Sequence, residues 1–276
     1  EMCIRDSASS DPVGVGLVGL GTIGTGTARI LVEHAGLIRE RLGFGLELLR
    51  IADLDLDTDR GIDLGAFDLS SQWRDVVNDS RVSILVELVG GTGVARDLVM
   101  AALQAGKHVV TANKALLAHH GHEIYETAAR YGVEIGFEAS VGGTIPVLRA
   151  LREGLCADRL DQIFGIVNGT CNYILTRMEE AGLGYGEALE EAQQKGFAEA
   201  DPTLDVNGDD SAHKLALLAR IITHAHIPVE KIFTEGIEEV TAEDIVVASC
   251  LGYRIKLRSI GSRHEDLAWD LRVHPC

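Results

Sequence analysis

The fold class predicted by the sequence is α/β: a Rossmann-type doubly wound parallel sheet followed by an α+β domain. Three observations predict it. Short apolar runs alternate with helix-patterned segments from residue 13 to about residue 141, the rhythm of βαβ units in a parallel sheet covered on both faces. The first apolar run ends in "GLGTIG" (19–24), the spacing of a phosphate-cradling turn between a strand and a helix. After residue 145 the rhythm changes and helical segments dominate. The expected domains are therefore 11–145, which carries the glycine loop, and 146–276.

The elements follow in order. "VGVGLVGLG" (13–21) is a continuous apolar run, as a strand buried on both faces requires. "TIGTGTARILVEHAG" (22–36) has helical spacing, with Ile23, Ala28, Leu31 and Val32 on or near one face. "LELLRIAD" (46–53) and "VSILVELVG" (82–90) are the next strands. "ARDLVMAALQAG" (95–106) is a helix closed by Gly106. "HVVTA" (108–112) is a strand, "ALLAHHGHEIYETAARYG" (115–132) a helix and "VEIGFEASV" (133–141) a strand. In the second domain, "IPVLRALREGL" (145–155) reads as a helix with Pro146 in its first turn. "DQIFGIVNG" (161–169) is a strand; "CNYILTRMEEAG" (171–182) and "YGEALEEAQQKG" (185–196) are helices. An acidic stretch follows, then the helix "SAHKLALLARIITHA" (211–225), with Leu215, Leu218, Ile221 and Ile222 inward.

Composition limits the function classes. The chain has 276 residues, 46% of them hydrophobic, and a net charge of −17. Such a surface repels phosphate backbones and anionic lipid, so neither nucleic acid nor membrane is expected as a partner. Five widely spaced cysteines without a CxxC pair fit a reducing cytoplasm better than a disulfide framework or a structural zinc site. No apolar run reaches the roughly 18 residues of a membrane span. The first ten residues fit no fold element and are set aside.

In "GLGTIG", Gly19 allows the tight turn, Gly21 lets the backbone approach a pyrophosphate and Gly24 lets helix and strand pack closely. Thr22 and Ile23 begin the helix whose N-terminus faces the phosphates. Asp53 ends the second strand, about 29 residues past Gly24 where compact examples need roughly 20. A carboxylate there would accept from a ribose 2′-OH and disfavour a 2′-phosphate. The other reading, a solvated strand-end aspartate, stays open. Lys114, just past the strand "HVVTA", stands in a first helical turn, where a cation is disfavoured; a functional role explains it better than solvation. Gly-rich "EASVGGTIP" (138–146) could hold a hard cation with Glu138 and exposed carbonyls, or be a hinge. The run "GFAEADPTLDVNGDDSAHK" (196–214) sets Glu199, Asp201, Asp205, Asp209 and Asp210 ahead of Lys214. Asp210 precedes Lys214 by four residues and shares its helical face. Asp209 is expected to serve as a cap. The histidines of "AHHGH" and "HAH" have no carboxylate or cysteine at metal-ligand spacing.

The motifs "GLGTIGTG", "GKHVVTANKALLA", "EASVGGTIP", "VNGTCNYIL" and "GFAEADPTLDVNGDDSAHKLALL", in this order and spacing, resemble the homoserine dehydrogenase family over about residues 13–275. The resemblance implies an NAD(P)-dependent oxidoreductase that interconverts L-homoserine and L-aspartate 4-semialdehyde. Its substrate would be a small amino acid, and its second domain would serve substrate binding and homodimer formation. On matching positions it implies Lys214 as proton donor, with Lys114 in the same site near the nicotinamide. Glu199 and Asp210 would bind substrate, with Asp205 beside them. Gly196 would lie near the substrate and Gly90 near the cofactor. Glu138, Val141, Gly143 and Ile145 would form a monovalent cation site for Na+ or K+. Asp53 gives a modest expectation of NAD over NADP, weakened by Arg60 nearby. Family members continue past the "VHP" at 273–275, so the chain is expected to be a fragment. Two competing readings remain: a related amino-acid semialdehyde dehydrogenase with Cys171 as thiol nucleophile, and an NAD(P)-binding fragment without turnover.

Overall fold

The computed structural model describes residues 11–265 and 268–276, so the first ten residues lie outside it. The described chain forms two compact units, divided between Ser140 and Val141.

In the first unit, β1 (Val13–Val18) leads into α1 (Thr22–Glu33), α2 (Ala35–Leu42), β2 (Leu46–Ala52), β3 (Asp68–Ser70) and α3 (Trp73–Asn78). Then come β4 (Val82–Glu87), α4 (Gly93–Gln104), β5 (His108–Thr111), α5 (Lys114–Tyr131) and β6 (Ile135–Gly136). The strands pair in the order β3-β2-β1-β4-β5-β6, all parallel. The order reverses between β1 and β4, which makes the crevice at their carboxyl ends the expected ligand site. Val15, Leu17, Ile51, Leu85 and Val109 are buried along these strands, as two covered faces require.

Several boundaries differ from expectation. β1 stops at Val18, because Gly19 turns to φ 95°. β4 stops at Glu87, ahead of Gly90 and Gly91 at φ 78° and 67°. The strand expected over 133–141 is only Ile135–Gly136, paired with Val109 and Val110. Its partner β5 ends at Thr111, so the ladder has nothing to continue against, and Glu138–Ser140 turns into a 3-10 helix. On α1 the expected apolar stripe is buried in part: Ala28 is buried and Leu31 packs half-buried on the first unit's core, with Gly24 beside them, while Ile23 and Val32 are exposed.

The second unit holds α6 (Val147–Arg149), β7 (Gln162–Gly165), α7 (Gly169–Ala181), α8 (Tyr185–Gln194), α9 (Thr203–Val206) and α10 (Asp209–Thr223). β8 (Phe233–Thr234), α11 (Ala242–Cys250), β9 (Leu257–Arg263) and β10 (Trp269–Pro275) complete it. Pro146 precedes α6 rather than lying inside it, and the expected helix continues as a π-helical turn, Ala150–Gly154, closed by Leu155 N–H on Ala150 O. β7 ends at Gly165 because Asn168 leaves the strand to cap α7. The sheet order is β7-β9-β10-β8. Its inner face and helices α7, α8 and α10 enclose a core of Ile174, Leu175, Met178, Ala188, Leu215, Ala219 and Val273. α10 is buried over most of its circumference from Asp210 to Ala219, while Ile221 and Ile222 are only half-buried. One row across the sheet, Phe164–Ile260–Arg272–Phe233, carries exposed Phe164 and Phe233 at its ends.

Candidate active site

In the glycine loop of the first unit, packing requires glycine at two of the three positions. A Cβ on Gly19 would stand 2.5 Å from Leu88 O, and one on Gly24 only 1.9 Å from Gly19 O. Nothing lies within 4 Å of a Cβ position on Gly21. Gly19 and Gly24 thus permit close packing, and Gly21 leaves open space at the mouth of α1. Gly21 is the N-cap of α1 and offers no side-chain cap. The first N–H groups of the helix, at Thr22 and Ile23, are therefore left for a bound anion. These features fit the pyrophosphate of a dinucleotide.

Asp53 lies one residue beyond β2 and is anchored to that loop. One carboxylate oxygen accepts from Leu20 N–H; the other accepts from Asp55 N–H at 2.8 Å. Arg60 Nη2 stands 3.2 Å from Asp55 and 3.9 Å from Asp53. Ionised carboxylates have about four lone-pair sites, so Asp53 retains capacity for a ribose hydroxyl.

The other side of the switch point carries Glu87, which the sequence reading passed over. It is fully buried at the end of β4. Gly90, by its positive φ, shapes the turn that follows. Asn113 caps α5, accepting from Leu116 N–H at 3.0 Å, and so fixes the start of the helix at half-buried Lys114.

In the second unit the acidic run resolves into a bonded cluster. Lys214 Nζ donates to Asp210 Oδ2 at 2.6 Å and to Val167 O at 2.7 Å. Asn168 Nδ2 donates to Asp205 Oδ1 at 2.7 Å and to Asp210 Oδ2 at 2.8 Å. Its Oδ1 accepts from Cys171 N–H at 2.9 Å, capping α7. Asn168 therefore separates two carboxylates and fixes both. Only its place in "VNGTC", at a strand-to-helix junction, could have flagged it. The cluster lines an open cavity of about 600 Å³ together with Gly169, Thr170, Tyr173 and Phe197. Phe197 stacks on Tyr173 at 4.5 Å.

Other sequence-predicted residues fall elsewhere. Glu199 is exposed and does not line the cavity; its carbonyl accepts from Gln193. Gly196 closes α8 at φ 75° and also lies outside the lining. Asp209 is not the cap of α10: Gly208 holds that position at φ 90°, and Asp209 accepts from Asn207 Nδ2 at 2.7 Å. Of the cation-site residues, Glu138 belongs to the first unit and Val141, Gly143 and Ile145 to the second. Gly143 is at φ 59°, and Ile145 O accepts from Val147 N–H at 2.8 Å. Cys171 is fully buried, and its thiol donates to Asp205 O at 3.0 Å. Burial first, then the charges of Asp205 and Asp210, push it up to about 12. Such a group is a poor nucleophile near neutral pH. His120 and His122 pair with Glu123 and Glu126 one turn along α5, and His224 ends α10.

The strand order, the open glycine loop and the uncapped start of α1 define a dinucleotide-binding α/β protein with an added α+β domain. Residues 19–138 match the family model for the NAD binding domain of homoserine dehydrogenase, and residues 146–276 match the homoserine dehydrogenase family model. The homoserine dehydrogenase of Pseudomonas aeruginosa is 46% identical over 264 residues, 96% of this chain and 60% of that protein. A crystal structure of a homoserine dehydrogenase from Thiobacillus denitrificans matches with a TM-score of 0.93 and 46% identity, over 98% of this chain and 62% of that one. That of a putative homoserine dehydrogenase from Archaeoglobus fulgidus matches with a TM-score of 0.84 and 33% identity, over 96% of this chain and 83% of that one. This chain belongs to the homoserine dehydrogenase family. It spans about 60% of the length of the Pseudomonas relative.

Proposed function

We propose that the chain carries the catalytic part of a homoserine dehydrogenase, interconverting L-homoserine and L-aspartate 4-semialdehyde with NAD or NADP. The observation that carries this reading is the Lys214 ammonium, held between Asp210 and the Val167 carbonyl at the wall of an open cavity. An ammonium has three donors. Two are engaged, and the third is left for the oxygen of a bound aldehyde.

When bound, the nicotinamide supplies the hydride in reduction and takes it in oxidation. Gly19, Gly21, Thr22, Ile23 and Gly24 hold the dinucleotide, with Asp53 at the adenosine ribose and Gly90 and Lys114 toward the nicotinamide. Lys214 stabilises the alkoxide that forms at the aldehyde oxygen and gives it a proton; in oxidation it takes that proton back. Asp210 holds and aims Lys214. Asp205 and Asp210 offer acceptors to the substrate ammonium, and Glu199 is a further candidate for it. The first N–H groups of α7, at Gly169 and Thr170, line the same cavity and suit the substrate carboxylate.

In this reading the first unit is the cofactor domain and the second the substrate and dimerisation domain, with the division at Ser140/Val141 rather than at the expected 145/146. The Phe164–Ile260–Arg272–Phe233 row, exposed at its two phenylalanines and half-buried between them, supports a homodimer through the second sheet. A monovalent cation at Glu138 and the carbonyls of Val141, Gly143 and Ile145 is part of the same proposal. No described helix is long and apolar enough to cross a membrane, and Cys156, Cys171, Cys250 and Cys276 are free, which supports a cytoplasmic site of action.

The test is oxidation of NADH or NADPH by the purified chain in the presence of L-aspartate 4-semialdehyde, beside a titration of cofactor binding. Turnover supports the proposal. Cofactor binding without turnover favours the reading of a nucleotide-binding fragment.

A further inference from the structure

Glu87 is a carboxylate with no exposed surface at the carboxyl end of β4. Its Oε1 accepts from Val89 N–H at 2.9 Å and Gly90 N–H at 3.2 Å; its Oε2 accepts from Thr111 Oγ1 at 2.6 Å. Thr111 Oγ1 in turn accepts from Asn113 N–H at 2.9 Å, which directs the hydroxyl proton to Glu87. Asn113 Nδ2 donates to Gly91 O at 2.7 Å and closes the ring. Every contact of Glu87 is an accepted one, as an ionised carboxylate makes. Burying a carboxylate is costly, and no described cation pairs with it to offset that cost. A neutral side chain could hold the same turn, so the charge itself asks for a reason.

Its location supplies one. β4 lies immediately across the switch point from β1, and in this topology the second half of a dinucleotide rests beyond the carboxyl ends of β4 and β5. The exit of β4 also touches the glycine loop, since Leu88 O blocks any side chain on Gly19.

We propose that Glu87 is a positioning residue with an electrostatic role: it locks the Val89–Gly91 turn to the Asn113–Lys114 helix start, and its charge favours the oxidised, cationic nicotinamide over the reduced one. This rests on the cofactor reading of the first unit, and it does not depend on turnover. The oxidised ring carries a positive charge that the reduced ring lacks. A fixed carboxylate at the carboxyl end of β4 would therefore tighten NAD+ selectively.

The experiment compares wild type with Glu87→Gln and Glu87→Ala in the whole chain, measuring Kd for NAD+ and NADH separately, with thermal unfolding as a control for fold. Glu87→Gln keeps one oxygen to accept from Val89 and Gly90 N–H, and its amide donates to Thr111 Oγ1 where the carboxylate accepted, so the shape of the network is kept without the charge. It should weaken NAD+ relative to NADH by about threefold to tenfold, the scale of one partly screened charge. Glu87→Ala should show the same change in ratio and also weaken both forms through loss of the turn. An unchanged NAD+/NADH ratio in Glu87→Gln overturns the proposal, whether both affinities are intact or both fall together. Wild type that binds NAD+ and NADH without turnover would defeat the proposed function and leave this inference open to the same titration. Wild type that turns over, with a Glu87→Gln ratio like its own, would defeat this inference alone.

Discussion

Replacing Asn168 probes the cluster of the second unit without any need for activity. The side chain is 4% exposed and makes three hydrogen bonds, two donated to carboxylates and one accepted as the cap of α7. Asn168→Ala removes all three. Loss of the cap costs about 1 kcal/mol. Taking the shared donor from between Asp205 and Asp210 costs about 1–3 kcal/mol more, because Asp210 stays buried with one partner fewer. The expected loss is about 2–4 kcal/mol. Asn168→Asp keeps the cap acceptor and puts a third carboxylate where the donor was, so its penalty should be larger at pH 8 than at pH 5, where protonation relieves the repulsion. Urea unfolding reports this through Trp269, which packs on the second unit's core, in a Trp73→Phe background, since Trp73 lies in the first unit. A loss under about 0.5 kcal/mol for Asn168→Ala, less than the cap value alone, would mean that Asn168 does not hold the two carboxylates. So would a pH-independent penalty for Asn168→Asp.

Three further outcomes follow from the same geometry. Hydrogen bonds from Lys195, Arg177 and Tyr173 hold the Glu191 carboxyl down at about 2. A depressed carboxyl stabilises the fold above its unfolded value and loses that contribution as pH falls through the folded one. Glu191→Gln should therefore be less stable than wild type at pH 7, and the gap should close between the ordinary glutamate range and about pH 2 in paired denaturation curves. Iodoacetamide at pH 7.5 should label exposed Cys156, Cys250 and Cys276 and spare Cys171, read by peptide mass spectrometry; fast labelling of Cys171 in the folded chain would contradict its burial. Asp53 should give a modest preference for NAD over NADP in kcat/KM, lost in Asp53→Ser; a strong NADP preference in wild type would remove the ribose role from Asp53.

Much of the fold was legible because its signals are local. Continuous apolar runs marked β1, β2, β4 and β5, and the glycine spacing marked the turn where β1 meets α1. β3 and β8 were invisible for a physical reason: strands of three and two residues carry no period. β9 and β10 mix Arg, Ser, Asp and His into alternating positions, and the pairing that makes them a hairpin is non-local. α11 is only half-committed to the core, with Ile245 buried and Val246 and Val247 exposed. At the site, the i, i+4 spacing of Asp210 and Lys214 gave their contact directly. Asn168 comes from another element, 42 residues before Asp210, and no period in the sequence connects them. Glu87 lies inside the apolar run expected as a strand over 82–90 and carries no signal of its own there; only burial and three accepted hydrogen bonds distinguish it. Glu199 entered through the resemblance alone; in the structure it is exposed in the turn after α8.

The central claim is that Lys214 moves the proton at the aldehyde oxygen, and the direct measurement is kcat in both directions for Lys214→Met, beside its cofactor Kd and melting curve. Lys214→Met should give a folded protein that binds cofactor normally and loses about 10²–10⁴-fold in kcat, the scale of a general acid–base group. Lys214→Arg should fail nearly as badly, because guanidinium does not release its proton and has a different shape. Near-normal kcat in both directions for Lys214→Met would contradict the claim and move the proton donor to Lys114.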